Sequence, residues 1–189
     1  MKNYLIISIL FLIIGCSHEP VNYDMLIRVD GIYYSKEGTE PYSGPYVSYY
    51  DNGQKETEGI FTNGIRDGLW IHWNDNGEKI EEGEFIGDER DGRWKFWFCN
   101  GQLMYEGVYK DDKEEGLWTS WYDNGEKMLE GTYKNGIEDG LWTLWDENGN
   151  KNLEGSLKDG EKVGKWTYYK KDGSVKFVFD RDNKFEGNE

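Results

Sequence analysis

One carboxylate recurs in this chain at a fixed interval. Glu58, Glu82, Glu106, Glu130 and Glu154 each stand directly before a Gly, and each is 24 residues from the next. Such a row can work as an acidic ladder that recruits a basic partner or cations. It can also accept local backbone N–H groups, or pair with Lys55, Lys79, Lys127 and Lys151 at the start of the same segments. Like charges spaced ~10 Å apart lie about one screening length from each other, so their mutual repulsion is mild. A second row is aromatic: Tyr49, Trp73, Trp97, Trp121, Trp145 and Tyr169 keep the same interval. Exposed Trp faces stack on sugar rings or hold choline-like cations, and buried ones form a core. Glu58, Glu82, Glu106, Glu130, Glu154, Trp73, Trp97, Trp121 and Trp145 are therefore the candidate partner-binding residues.

Catalytic chemistry finds no constellation. There are two His: His18 near the N-terminus, and His72 where the sibling positions carry Ser48, Phe96, Ser120, Leu144 and Tyr168. A group that siblings replace so freely is a tolerated variant. No Cys/His metal spacing and no Gly-rich phosphate loop with Lys occur. Acidic turns such as "WNDNGE" lack the acidic ligands at the first and twelfth positions of a calcium loop. The sequence is thus read as non-enzymatic, with no cofactor and no metal.

The element that must position both rows is a repeat. Gly44, Gly68, Gly92, Gly116, Gly140 and Gly164 are each 24 residues apart, and no insertion interrupts the array up to Gly173. A stack of equivalent units demands such regularity. Within each unit an aromatic stands at the third position (Tyr46, Trp70, Trp94, Trp118, Trp142, Trp166) and another at the sixth. Segments such as "LWTSWY" have strand character. Asn-Gly follows in five units and Asp172-Gly173 in the sixth, which predicts a type I′ hairpin turn there. A second strand such as "QLMYEGVYK" and a second turn such as "KNGIEDG" complete the unit. Each unit is a β-hairpin that is unstable alone and stable when stacked. The fold class is therefore all-β: an elongated repeat array of antiparallel β-hairpins with a 24-residue period, forming a single twisted open sheet. Strand alternation sends the third- and sixth-position aromatics to opposite faces unless a bulge intervenes, and the third-position row is the expected core.

Composition agrees. Aromatics make up 16% of the 189 residues, with 25 Gly and nine Trp, yet mean hydropathy is -0.87. The formal net charge of -15 has the wrong sign for a nucleic-acid groove.

The N-terminus reads separately. "MKNYLIISILFLIIGCS" holds one Lys, an apolar run from Leu5 to Ile14 that is short for a permanent membrane span, and then Gly15-Cys16. "IIGC" resembles the lipobox of bacterial lipoproteins. That resemblance implies a signal peptide over residues 1–15, cleavage before Cys16 and lipid on Cys16. Residues 16–30 then act as a tether, and the chain is held at the bacterial cell envelope, at an outer membrane or cell surface rather than in the cytoplasm. With Cys16 lipidated, Cys99 has no intrachain partner, so no disulfide framework exists.

The units themselves, as in "DGLWTSWYDNGEKMLEGTYKNGIEDGLW", resemble the variant MORN repeat. The larger pattern is similar to the YwqK-family antitoxin-like proteins. "GIYYSKEGTEPYSGPYVSYYDNG" resembles that family's opening, a degenerate first hairpin over 31–43, with full repeats from 44, 68, 92, 116, 140 and 164. The array is expected over 31–179, closed by a capping strand "SVKFVFDR", with a polar tail over 180–189. The resemblance implies an envelope-anchored lipoprotein that binds a protein partner, an antitoxin or immunity protein facing a basic toxin. The alternative from the residues is a carbohydrate- or cell-wall-binding module using exposed Trp. An open sheet also leaves edges able to pair with another chain.

Overall fold

The computed structural model describes residues 21–182. Its elements run β1 (Val21–Asn22), a 3-10 turn (Tyr23–Met25), β2 (Leu26–Val29), β3 (Ile32–Ser35), β4 (Gly44–Tyr49), β5 (Lys55–Thr62) and β6 (Ile65–Arg66). They continue with β7 (Gly68–Trp73), β8 (Lys79–Ile86), β9 (Glu89–Trp97), β10 (Leu103–Lys110) and β11 (Lys113–Trp121). The last are β12 (Lys127–Lys134), β13 (Ile137–Trp145), β14 (Lys151–Lys158), β15 (Glu161–Tyr169) and β16 (Val175–Asp180). From β4 to β16, neighbours pair antiparallel in chain order, with β6 on the side of β5 and β1 parallel to β4. β2 and β3 form a separate hairpin. The chain is all-β, one long open sheet of hairpin units, with no α-helix among the described residues.

The core is a ladder of rings on one face of this sheet. The third-position aromatics Tyr46, Trp70, Trp94, Trp118, Trp142 and Trp166 are all buried, Trp94 completely. Each Trp lies flat on the Gly that follows the Glu of the preceding unit. A Cβ at Gly59, Gly83, Gly107, Gly131 or Gly155 would come within 3.0 Å of the indole of Trp70, Trp94, Trp118, Trp142 or Trp166 respectively. The first three indoles then donate N–H to the next carbonyl of that strand: Trp70 to Ile60, Trp94 to Glu84 and Trp118 to Val108, at 3.1–3.2 Å. Two residues beyond the first four of these Gly, a further ring meets the same Trp edge-on, and beyond Gly155 the place is taken by Leu157. Phe61–Trp70, Phe85–Trp94 and Tyr109–Trp118 have centroids 5.0 Å apart, and Tyr133–Trp142 5.2 Å. Edge-to-face pairs of this kind add to plain apolar burial.

A bulge aims each Trp. Between the pairs Glu82↔Lys95 and Glu84↔Asp91, the single residue Gly83 faces Gly92, Arg93 and Trp94. Gly92 has φ +83°, open to glycine and strained for other residues. A second irregularity falls between His72 and Trp73, where Ile80 is the extra residue on β8. It lies on the partner strand, so alternation along β7 is kept and Trp70 and Trp73 face opposite ways.

The turns differ from expectation. At Asn52-Gly53 and its equivalents only the Gly is left-handed (φ +83° at Gly53, +80° at Gly77), so these are not type I′. The Tyr50 carbonyl accepts from Gly53 N–H at 2.9 Å, and Tyr50 N–H donates to the Gln54 carbonyl at 2.8 Å. That is a turn closed by a left-handed glycine bulge. The Asn is used through its side chain instead. Asn52 Oδ1 accepts from Gln54 N–H, and its Nδ2 donates to the Asp75 carbonyl in the next unit's turn. Asn100 and Asn124 repeat this bridge to Asp123 and Glu147. Doubly left-handed pairs lie at Asp30-Gly31, inside the first hairpin, and between units at Asn63-Gly64, Gly87-Asp88, Asp111-Asp112, Asn135-Gly136 and Asp159-Gly160. Flanking residues such as Lys134↔Ile137 pair directly there, as a two-residue loop requires.

Both ends also depart from expectation. Residues 21–30, expected as tether, supply β1, the 3-10 turn and β2, so the first hairpin begins at Leu26 rather than at 31. The reason is cover for the first ring of the ladder: Leu26 is buried, and Tyr33 packs on Phe61 with centroids 4.6 Å apart. At the other end β16 reaches Asp180, and it does not cap the array with polar groups. Val175, Phe177, Val178 and Phe179 stay about half exposed because no further unit covers them among the described residues. Cys16 and the signal segment lie outside the described residues.

Replacing Gly107 by Ala drives a methyl group into the Trp118 indole. The expected loss is about 2 kcal/mol or more, read as a lower urea midpoint. An unchanged midpoint would mean the indole does not rest on that glycine.

Candidate functional site

The two faces of the sheet carry different chemistry. The expected acidic row lies on the face away from the ring ladder. Strand register joins it into one lateral line: Glu58, Ile71, Glu82, Lys95, Glu106, Thr119, Glu130, Thr143 and Glu154 are successive cross-strand neighbours. The glutamates are held by the lysines three residues earlier. Lys55–Glu58, Lys79–Glu82, Lys127–Glu130 and Lys151–Glu154 are 2.5–2.6 Å apart. Each of these lysines also sits over the sixth-position ring of the next unit: Lys55 over Trp73, Lys79 over Trp97, Lys127 over Trp145 and Lys151 over Tyr169, at 5.0–5.6 Å. One lysine thus joins one carboxylate and one ring, and the Trp row is lidded rather than bare.

The exception is the third unit. Leu103 stands where the lysine belongs, so Glu106 lacks that pair and Trp121 lacks that lid. Glu106 faces Lys95 across the strands instead.

The ladder face carries two clefts of about 270 Å³ each. They occupy the same places in the repeat, two periods apart. Thr57, Phe61, Arg66, Trp70 and His72 line the first, and Tyr105, Tyr109, Glu114, Trp118 and Ser120 line the second. In the first, Arg66 reaches forward one unit to pair with Asp88, and its guanidinium lies 3.8 Å from the centroid of Phe85. One unit on, Arg90 does the same with Asp112 at 2.9 Å and Tyr109 at 3.9 Å. Glu114 replaces arginine at the next equivalent position.

Among the titrating groups of these clefts are His72 and Tyr109. His72 Nδ1 lies 2.8 Å from Thr57 Oγ1. Burial pushes its pKa down, against the upward pull of the Glu81 and Glu56 carboxylates. Tyr109 is pushed up to about 12, chiefly by burial and also by the Glu114 carboxylate that accepts its hydrogen bond. No group of three or more His, Cys, Asp or Glu placed to hold a metal exists among the described residues. Cys99 is exposed and free.

The sequence reading located the glutamate and sixth-position rows and named the lysine partners. It missed Arg66, Arg90, Glu114 and the clefts. The signal was present in the position two residues before each unit-opening Gly, which reads Arg66, Arg90, Glu114, Glu138 and Lys162 and so changes sign along the array.

Changing Leu103 to Lys supplies the missing partner of Glu106 and lid of Trp121. We expect a gain of about 0.5 kcal/mol in urea unfolding; no gain would mean the other lysines add nothing to stability. For His72 the folded pKa lies below the unfolded 6.5, so the neutral form is favoured by folding. That contribution is full above pH 6.5 and falls as pH drops through the window below it. His72→Leu, the residue found at the equivalent Leu144, should therefore lose less stability than the wild type between pH 7.5 and 5. An equal loss in the two chains would rule out a proton uptake by His72.

The MORN repeat variant family matches the chain at residues 42–63, 90–111, 114–135 and 138–159. Each match starts two residues before a unit-opening Gly and ends on the first residue of a connecting turn, so the family's unit and the structural unit coincide. The units opening at Gly68 and Gly164 fall outside the matches but show the same hairpins and the same glycine-seated Trp. A search of curated proteins gives no match. Four hairpin units of the open sheet thus match the MORN repeat variant.

Proposed function

We propose that this chain is a non-enzymatic binding module that receives a basic protein partner on its hairpin array, held at a bacterial cell envelope by lipid on Cys16. The observation that carries the reading is the ladder face, where clefts between ring-lined units open on a chain of net charge -15. The array has the length and regularity of a binding surface, and variant MORN repeats fit that role. Neutralisation of a basic toxin, in the manner of an antitoxin or immunity protein, is the specific role we assign. The lipobox-like "IIGC" supports the anchor.

The carbohydrate alternative needs bare Trp faces. Lysine lids on Trp73, Trp97 and Trp145 weigh against it, because a sugar would have to displace a cation already seated on each ring.

The test is a crosslinking pull-down with the full chain from native membranes, followed by binding measured against salt. A basic protein partner should bind in stoichiometric amount, and its association should slow markedly between about 50 mM and 500 mM salt, as charge-steered encounters do. Recovery of polysaccharide with salt-independent binding would overturn the reading in favour of a wall-binding module.

A further inference from the structure

The array shows what its clefts accept. In two successive units a guanidinium lies on the ring of the following unit, Arg66 on Phe85 at 3.8 Å and Arg90 on Tyr109 at 3.9 Å, each neutralised by an Asp of the connecting turn. At the next position the chain writes Glu114, and the ring in the equivalent place is Tyr133. Among the described residues no internal cation sits over Tyr133, and a cleft of about 270 Å³ opens there. The turn changes in step: Asp88 and Asp112, which hold the arginines, give way to Gly136. Glu114 alone combines the reversed charge with a ring ahead of it, because the position that follows Glu138 in the same relation is Leu157.

We infer that the cleft at Glu114 receives an arginine side chain from a basic protein partner, whose guanidinium takes over the Tyr133 ring the place that Arg66 and Arg90 hold over their own rings. The inference rests on the protein-binding reading above and names the site within it. Three features supply the recognition. Glu114 offers a carboxylate, already within hydrogen-bond reach of Tyr109, to a guanidinium that it can bind at two points. Tyr133, Tyr105 and Trp118 supply ring faces to the walls. The Ser120 hydroxyl, buried and without a partner among the described residues, offers a further acceptor. Arg90 does not oppose the newcomer strongly, since Asp112 neutralises it at 2.9 Å. Arginine suits this slot better than lysine, because a planar cation stacks on a ring while its edge pairs with a carboxylate.

The test titrates the full chain with the peptide acetyl-Gly-Arg-Gly-Arg-Gly-amide and follows the indole N–H resonances by NMR. The expected result is saturable shifts at Trp118 and Trp142, with little change at Trp70. Glu114→Arg puts a guanidinium in the place that Arg66 and Arg90 hold, without the turn Asp that neutralises those two; with its fold checked by the dispersion of the indole resonances, it should bind the peptide at least about ten-fold more weakly. Tyr133→Leu, which repeats the choice the chain itself makes at Leu157, should also weaken binding while leaving Trp70 unshifted. Equal affinity in wild type and Glu114→Arg would overturn the inference, and so would equal shifts at every indole. If Glu114→Arg holds a partner protein from native membranes as tightly as the wild type does, the cleft is not the site and the binding-module reading stands. If the wild type captures no protein, that reading fails, and the peptide titration still decides the cleft.

Discussion

An indole resting on a glycine is the contact on which this structure depends. A sheet of one layer has no opposing layer to bury its aromatic rings, so the rings must lie down on the sheet itself. They can do so only where the strand beneath carries no side chain, which is what Gly59, Gly83, Gly107, Gly131 and Gly155 provide. The unit-opening glycine supplies the bulge that turns each ring toward its seat. The ring two residues further on then meets the indole edge-on and hands the contact to the next unit. Seat and edge ring share one strand while the bulge and its indole belong to the next unit, so none of the three has a use unless the repeat returns on schedule.

The same economy governs the charges. Both faces use cations on rings, and on both the cation comes from one unit and the ring from the next. On the far face the lysines also hold the glutamate row, which leaves most of that row satisfied within the chain. Exposed pairs of this kind are individually weak, and their more telling effect is to cover the Trp row. The positions that break the pattern, Leu103 and Glu114, are adjacent in the array but fall on opposite faces. A partner reading this surface would meet its most distinctive chemistry in the middle of the ribbon.

Much of this was written in the sequence in plain form. A strict period identified the unit, alternation placed Trp70 and Trp73 on opposite faces, and Lys-x-x-Glu spacing named the ion pairs. What a period says is which residues are equivalent; it does not say which of two turns is left-handed at both centres. Asn-Gly at 52–53 and at 63–64 look alike, yet only the second is doubly left-handed, because only there do paired strands leave room for two residues. The clefts were illegible for another reason. They arise from side chains reaching forward a whole unit, as Arg66 does to Asp88, and a linear pattern carries no sign of reach. The structured stretch before Gly31 escaped for lack of repeat signature, since its task is to cover the ladder rather than extend it.

The bulges described above have a consequence for how such a chain can change over generations. Each period contains its own two irregularities, and together they return the strand to the same face at the same position of the next unit. An in-frame duplication or loss of one whole period therefore leaves every indole over a glycine, and the protein grows or shrinks by a rung. The gain or loss of a single codon inside a strand has the opposite effect, because it turns all later side chains of that strand to the wrong face. Length is thus the freely inherited variable of this architecture, while spacing is held fixed.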